Sequence, residues 1–196
     1  RVKGPNVMTG YFNDEEKTRA AFDEEGFFKT GDAMVFVDKE DPSKGMRFDG
    51  RISEDFKLLT GTWVRAAALR IDLLSCLSPL AVDLIITGQD RPEIGALIFP
   101  DREALTGAGF DLTEQDGVLT CPLLLSDLHR RLEKRAKRTT GSSSRISRAL
   151  FLSEPPSLTD GEVTAKGNLN SRKVLARRAS HLARLYDDAD TAAVKI

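Results

Sequence analysis

The sequence predicts an α+β fold, with strands and helices mixed and no regular strand–helix–strand repeat. Two observations carry that prediction. Residues 82–87, 94–99 and 146–152 are short apolar runs bounded by turn residues or proline, the pattern of strands. Residues 123–138 instead place leucines at 124, 125, 128 and 132, close to the helical period.

The remaining elements follow in order. Asn13, with Glu16 three residues on, reads as the capped start of a helix that ends before Gly26. Residues 34–37 and 46–48 form a strand pair around Asp41-Pro42-Ser43-Lys44-Gly45. Residues 55–59 and 62–64 form a smaller hairpin around Gly61, and an apolar helix covers residues 66–77. Gly88-Gln89-Asp90 joins the strands at 82–87 and 94–99, and Pro100 stops the second. Residues 101–120 read as loop with one short helix. Ser142-Ser143-Ser144 breaks the helix at 123–138, Pro155-Pro156 ends the strand at 146–152, and residues 172–186 form a single last helix. A change of character near residues 49–53 divides the chain into domains of residues 1–50 and 51–196.

With 40% of 196 residues apolar, the chain can build a core. Lys and Arg number 29 against 30 Asp and Glu, so bulk charge gives no support to a nucleic-acid or membrane-surface partner. No run approaches the ~18 apolar residues of a membrane span and no signal peptide is present, so a cytoplasmic location is expected. Cys76 and Cys121 lack metal-ligand spacing and read as reduced thiols. No metal site is predicted. His129 and His181 sit in Arg-rich helical patterns and read as surface or half-buried side chains. The opening Arg1-Val2-Lys3-Gly4-Pro5 has no initiator Met and reads like the interior of a folded protein, so a fragment of a larger chain is expected.

The chemistry-bearing residues begin at Lys29-Thr30-Gly31-Asp32, after Phe27 and Phe28. A carboxylate presented by such a turn can accept hydrogen bonds from both hydroxyls of a ribose. On the tripeptide alone, an Asp that merely caps local backbone is the commoner role. Arg51, after Gly50, and Lys57 suit the phosphates of the same nucleotide, and together these residues point to ATP. Yet no phosphate-cradling glycine loop occurs in the chain. Glu54 and Asp55 read as solvated or paired with Arg51. Lys166, in Gly161-Glu162-Val163-Thr164-Ala165-Lys166-Gly167, could swing its ammonium to a reacting centre and neutralise developing charge. An exposed loop lysine is the ordinary alternative. Arg130, Arg131, Lys134, Arg135, Lys137 and Arg138 read as the solvated face of an amphipathic helix, with the phosphates of a large cofactor as the other possibility.

In this order, the pieces resemble the C-terminal portion of the adenylate-forming acyl-CoA synthetase superfamily. Gly4-Pro5-Asn6-Val7-Met8-Thr9-Gly10-Tyr11 is similar to a segment of that family, and residues 22–32 are similar to its nucleotide-ribose motif. Gly50-Arg51 through Lys57 resembles its hinge motif. Residues 48–58, Thr60-Gly61-Thr62-Trp63-Val64 and the Lys166 segment look most like feruloyl-CoA synthetases. The resemblance implies a small mixed sheet with flanking helices, preceded by a short β-rich end of a large AMP-binding domain. It also implies two reactions, in which ATP and a carboxylate give an acyl-adenylate and CoA then displaces AMP.

By the same resemblance, Thr30, Gly31 and Asp32 hold the ribose, Arg51 and Lys57 contact the nucleotide, and Gly61 admits the CoA arm. Ser53 is the hinge and Lys166 the catalytic residue of adenylation. Three departures stand out: Ser53 replaces the usual Asp or Lys, Gly61 follows Lys57 by four residues where three is usual, and Lys166 lacks a Ser-Gly approach, which leaves Lys173 open as the alternative. Residues 66–68 are all Ala where more polar residues are usual. The implied partners are ATP (AMP), CoA and a hydroxycinnamic or related aromatic acid. Mg2+ is expected with ATP but has no ligand among these residues. The alternatives are another acid such as a fatty acid, a carrier-protein acceptor, or a non-catalytic interaction module. The polar stretch Asp187-Asp188-Ala189-Asp190 reads as a terminal tail, which disfavours a following carrier domain. The missing phosphate loop is expected in the large domain, so the fragment alone is expected to be inactive.

Overall fold

In the computed structural model, which describes residues 1–139 and 141–196, the chain divides into two units, Arg1–Ser53 and Glu54–Ile196. The first carries α1 (Glu15–Ala21) and an antiparallel pair, β1 (Asp32–Phe36) and β2 (Met46–Arg51). Asp14 caps α1, its carboxylate accepting the Lys17 N–H at 2.9 Å. The cap expected at Asn13 therefore sits one residue further on. Asn13 takes a left-handed φ of 52°, incompatible with the extended backbone of a cap. The turn between β1 and β2 is a 3-10 helix at Pro42–Lys44, held by Asp41, which accepts the Ser43 N–H.

Register pairs Met34 with Phe48 and Phe36 with Met46, so four large apolar side chains share one face of this hairpin. All four are exposed. Among the described residues of the first unit only Gly50 is buried, so the unit has no core of its own.

The second unit opens with a hairpin of β3 (Phe56–Lys57) and β4 (Trp63–Val64), then α2 (Ala66–Leu77), β5 (Ala81–Thr87) and β6 (Ile94–Pro100). It continues through α3 (Arg102–Gly107), the hairpin of β7 (Thr113–Gln115) and β8 (Val118–Thr120), α4 (Pro122–Ala136) and β9 (Ile146–Phe151). Finally come α5 (Ser171–Arg177), α6 (Ala179–Tyr186) and β10 (Val194–Lys195). The central sheet runs β10-β9-β6-β5 and is antiparallel except for β6 with β9.

Both faces of this sheet are covered, which is why its strands are continuously apolar rather than alternating with polar residues. Leu84, Ile86, Ala96, Ile98, Ala149 and Phe151 pack with Leu69, Leu73 and Leu77 of α2 and Leu124, Leu128 and Leu132 of α4. The intervening residues Ile85, Leu97, Phe99 and Leu150 pack with Val174 of α5 and Leu185 of α6 on the other side. Gly95 lets α6 approach, since a Cβ there would stand 2.7 Å from Leu185 Cδ2.

Three further features, all in the second unit, depart from the expectation. Residues 113–120 are a hairpin rather than loop, turned by Asp116 and Gly117 at φ 50° and 75°, the left-handed pair of a type I′ turn. The expected last helix is two, α5 and α6, divided at Arg178 (φ −94°, ψ 27°). The chain after the acidic stretch is not a tail, because β10 pairs with β9 and Ala192, Ala193 and Val194 are buried.

Leu73 is fully buried between α2 and the sheet. Leu73→Ala is expected to lower unfolding free energy by about 2–5 kcal/mol. Urea denaturation should show this as a lower midpoint at unchanged slope. A loss under about 1 kcal/mol would contradict the packing described.

Candidate active site

The expected site residues fall on three hairpins. In the first unit, Gly31 turns the chain at φ 75°, and the Asp32 N–H donates to Thr30 Oγ1 at 3.1 Å. Asp32 stands opposite Arg51 in the β1–β2 register, and Arg51 Nε lies 3.1 Å from Asp32 Oδ1. The structure thus joins these two as an ion pair within one unit, and the Ile52 N–H donates to Gly31 O at 2.9 Å to close the turn. A half-exposed pair of this kind adds little stability. Chemically it leaves a carboxylate with acceptor capacity to spare, of the kind a ribose diol takes. Burial raises the Asp55 carboxyl above its usual 3.8, against the Ala66 N–H, which works to lower it.

Lys57 and Gly61 lie on the β3–β4 hairpin. Gly61 has φ 81° and open space in front of it, so any side chain there would be strained by backbone rather than by neighbours. Lys57 pairs with exposed Trp63, its Nζ 5.1 Å from the ring centroid. The hairpin is tied to the β5–β6 turn through Leu59 N to Arg91 O at 2.8 Å and Asp90 N to Lys57 O at 3.1 Å.

Lys166 occupies the tip of a third turn. The Gly167 N–H donates to Thr164 O and the Thr164 N–H to Asn168 O, both at 2.8 Å, and Val163 bridges Leu169. Gly167 follows at φ 80°. The Lys166 side chain is exposed and has no hydrogen-bond or ion-pair partner among the described residues. Lys173, the alternative, sits in the first turn of α5 with its Cε 3.8 Å from the Cβ position of Gly161, at the foot of this loop rather than its tip. Among the described residues no hydrogen bond or ion pair links the Lys166 turn to the β3–β4 hairpin.

Beneath Lys166 lies a network that sequence reasoning missed. Glu162 is 0% exposed and Arg178 3%. Arg178 donates to Glu162 Oε1 from Nε at 2.9 Å and to Oε2 from Nη2 at 3.1 Å, and to Glu154 and Pro155 O at 3.1 Å each. The Ser157 N–H donates to Glu162 Oε2 at 2.7 Å. Arg177 Nε stands 3.1 Å from Asp160. The signal available in the sequence was the doublet Arg177-Arg178 downstream of Glu154, Asp160 and Glu162, on a helix that had no need of it.

Two guanidiniums of the basic helix are committed to structure. Arg135 donates to Asp72 and Ser144 O, and Arg131 to Cys76 O and Ser78 O, so these guanidiniums staple α4 to α2. Lys134 and Arg138 line the groove of about 550 Å³ between the two helices. His129 Nδ1 lies 3.1 Å from Lys195 O. His181 is half-buried, and burial together with the charges of Arg178 and Arg184 pushes its pKa below 6.5. Cys76 and Cys121 are both free, and no group of three or more potential metal ligands occurs among the described residues. No helix among them is long and apolar enough to cross a membrane.

Residues 56–190 match a family described as AMP-binding enzyme C-terminal domain. The chain is 26% identical to a probable acyl-activating enzyme 16 (chloroplastic) of Arabidopsis thaliana, over 95% of this chain and 26% of that protein. It is 34% identical to a probable 4-coumarate–CoA ligase 2 of Dictyostelium discoideum, over 54% of this chain and 19% of that protein. Among solved structures, the A domain of carboxylic acid reductase from Segniliparus rugosus, in complex with AMP and a co-purified carboxylic acid, has the same fold. Its TM-score is 0.70 at 24% identity, covering 94% of this chain and 27% of that one. The chain therefore spans about a fifth to a quarter of the length of these proteins.

The buried pair sets an acid limit on stability. Burial works to raise the Glu162 carboxyl, but the Arg178 hydrogen bonds, the Ser157 N–H and the charges of Arg178 and Arg177 outweigh it and hold the group below its usual 4.5. A carboxyl depressed in the folded state contributes its stability above 4.5 and loses it as pH falls through the lowered value. The melting temperature should hold steady down to about pH 5 and then fall, with a shallower fall in Glu162→Gln. Glu162→Ala should cost about 3–5 kcal/mol near neutral pH by stranding the Arg178 charge. A variant with unaltered melting temperature and acid profile would contradict the network.

Proposed function

The chain belongs to the AMP-binding enzyme C-terminal domain family, and from that premise we propose that it is the C-terminal part of an ATP-dependent carboxylate–CoA ligase. The first unit is proposed as the end of a large AMP-binding domain and the second as the mobile C-terminal domain, with Ser53 as pivot. The exposed apolar face of Met34, Phe36, Met46 and Phe48 supports that reading, since it calls for a covering layer.

The observation that carries the proposal is the position of Lys166, an unpartnered ammonium at the tip of a short turn with a locked base. In the proposed first step a carboxylate oxygen of the acid attacks the α-phosphorus of ATP. The bond from that phosphorus to the oxygen bridging the β-phosphate breaks, and pyrophosphate leaves. Lys166 neutralises charge shared by the carboxylate and the phosphate. Asp32, with its turn residues Thr30 and Gly31, accepts the ribose hydroxyls, while Arg51 and Lys57 contact the nucleotide. In the second step the CoA sulfur attacks the acyl carbonyl, the thiol gives up its proton, and the carbonyl carbon's bond to the AMP oxygen breaks. Gly61, with no side chain and open space in front, leaves room for the CoA arm. Mg2+ would enter with ATP, and no residue of this chain is assigned to it.

The proposed acid is a hydroxycinnamate or related aromatic acid, acted on in the cytoplasm. The 4-coumarate–CoA ligase likeness supports an aromatic acid, and the acyl-activating-enzyme likeness over 95% of the chain keeps other acids in the test. ATP–pyrophosphate exchange by the full-length protein should be fastest with cinnamates in a panel that includes fatty acids. Lys166→Ala is expected to lower exchange by about 10²–10³-fold while sparing thioester formation from preformed acyl-adenylate. Unchanged exchange in Lys166→Ala would overturn its role, and exchange driven only by fatty acids would overturn the substrate class.

A further inference from the structure

We infer that the buried Glu162/Arg178 pair is a positioning device that sets the direction of the Lys166 turn, a step that rests on the proposed role of Lys166.

The turn is short and internally bonded, so it moves as one piece about its two feet. One foot is Glu162. Its N–H donates to Ser157 O, its carbonyl accepts the Asn170 N–H, both at 2.8 Å, and its carboxylate holds the Ser157 N–H and the Arg178 fork. The other foot is Asn170, which caps α5 by accepting the Lys173 N–H at 3.2 Å. Arg178 stands just past the end of α5, and its guanidinium reaches back to Glu154 and Pro155 O as well as to Glu162. A single guanidinium therefore ties the start of the loop, the foot of the turn and the junction of two helices.

Stability alone does not explain the choice of residues. An apolar pair of similar volume is often as stable as a buried ion pair or more so. What the planar fork adds is direction, because two parallel N–H···O bonds fix the carboxylate's orientation as well as its distance. That matters at the end of a lever. Lys166 lies four positions along the chain from Glu162, a reach of at most about 13 Å. A tilt of about 10° at the foot would displace the tip by roughly 2 Å over that reach. Misplacement of about 1 Å in a catalytic group can lower a rate about 10²-fold.

The test uses the full-length enzyme carrying Glu162→Gln, which keeps the side-chain shape and removes the charged acceptor. Exchange kcat is expected to fall about 10²-fold with KM for ATP little changed, while thioester formation from preformed acyl-adenylate proceeds at the wild-type rate. A merely structural role would lower both half-reactions together, and that result would overturn the inference, as would unchanged exchange. Arg178→Lys keeps the charge but loses the fork, so it should show the same split; full rescue by Lys would also count against a directional role. If Glu162→Gln does not fold at the assay temperature, Arg178→Lys carries the same two outcomes. Lys166→Ala measured alongside separates the two claims. Loss of exchange in Lys166→Ala but not in Glu162→Gln or Arg178→Lys rejects this inference alone, whereas unchanged exchange in Lys166→Ala rejects the role it rests on.

Discussion

The buried contact between Glu162 and Arg178 is the constraint on which the working end of the larger unit depends. Two charges, each almost fully removed from water, remain there because each satisfies the other, the Ser157 N–H donates to the carboxylate and the guanidinium donates to Pro155 O. The cost of breaking such a contact exceeds the cost of never having built it. Residues 154–170, which carry no helix and no long strand, are therefore held to the sheet's helical layer by a few strong, directional bonds rather than by apolar area.

This division of labour runs through the second unit. The sheet, covered on both faces, supplies stability without direction. The hairpins at its surface supply direction, although β3–β4 also sends Phe56, Leu58 and Val64 into the core. The β3–β4 hairpin is hydrogen-bonded to the β5–β6 turn, and the Lys166 turn to α5 and to Arg178. Each presents a lysine, an exposed backbone or both to solvent on a fixed base. The first unit differs in kind, since its apolar side chains face outward and its cross-strand ion pair, Asp32 with Arg51, is half-exposed.

Much of the second unit was legible in the sequence because its helices and strands differ in apolar period. The α2 limits, 66–77, match because an apolar run there ends at a proline-containing turn. The β7–β8 hairpin was legible in principle through Asp116-Gly117, but its strands are too short and polar to stand out from loop. The break at Arg178 was not legible, because helical propensity continues unbroken through Arg177 and Arg178. The division falls at the residue whose guanidinium reaches Glu162. β10 was hidden behind four residues that are acidic or small, and its burial depends on pairing with a strand far away in sequence. At the site, Asp32, Arg51, Gly61 and Lys166 were visible as motifs, whereas Glu162 and Arg178 were not, since nothing local marks a carboxylate as buried.

Hydrogen exchange at the Ser157 and Asn170 amides tests the role of the buried pair most directly, because both donate to Glu162, one to its carboxylate and one to its carbonyl. If the pair anchors the loop, both amides exchange as slowly as those of β6 and only through global unfolding. Exchange at the rate of an unprotected peptide, with β6 still protected, would show that the loop opens on its own and would contradict the anchoring of Lys166.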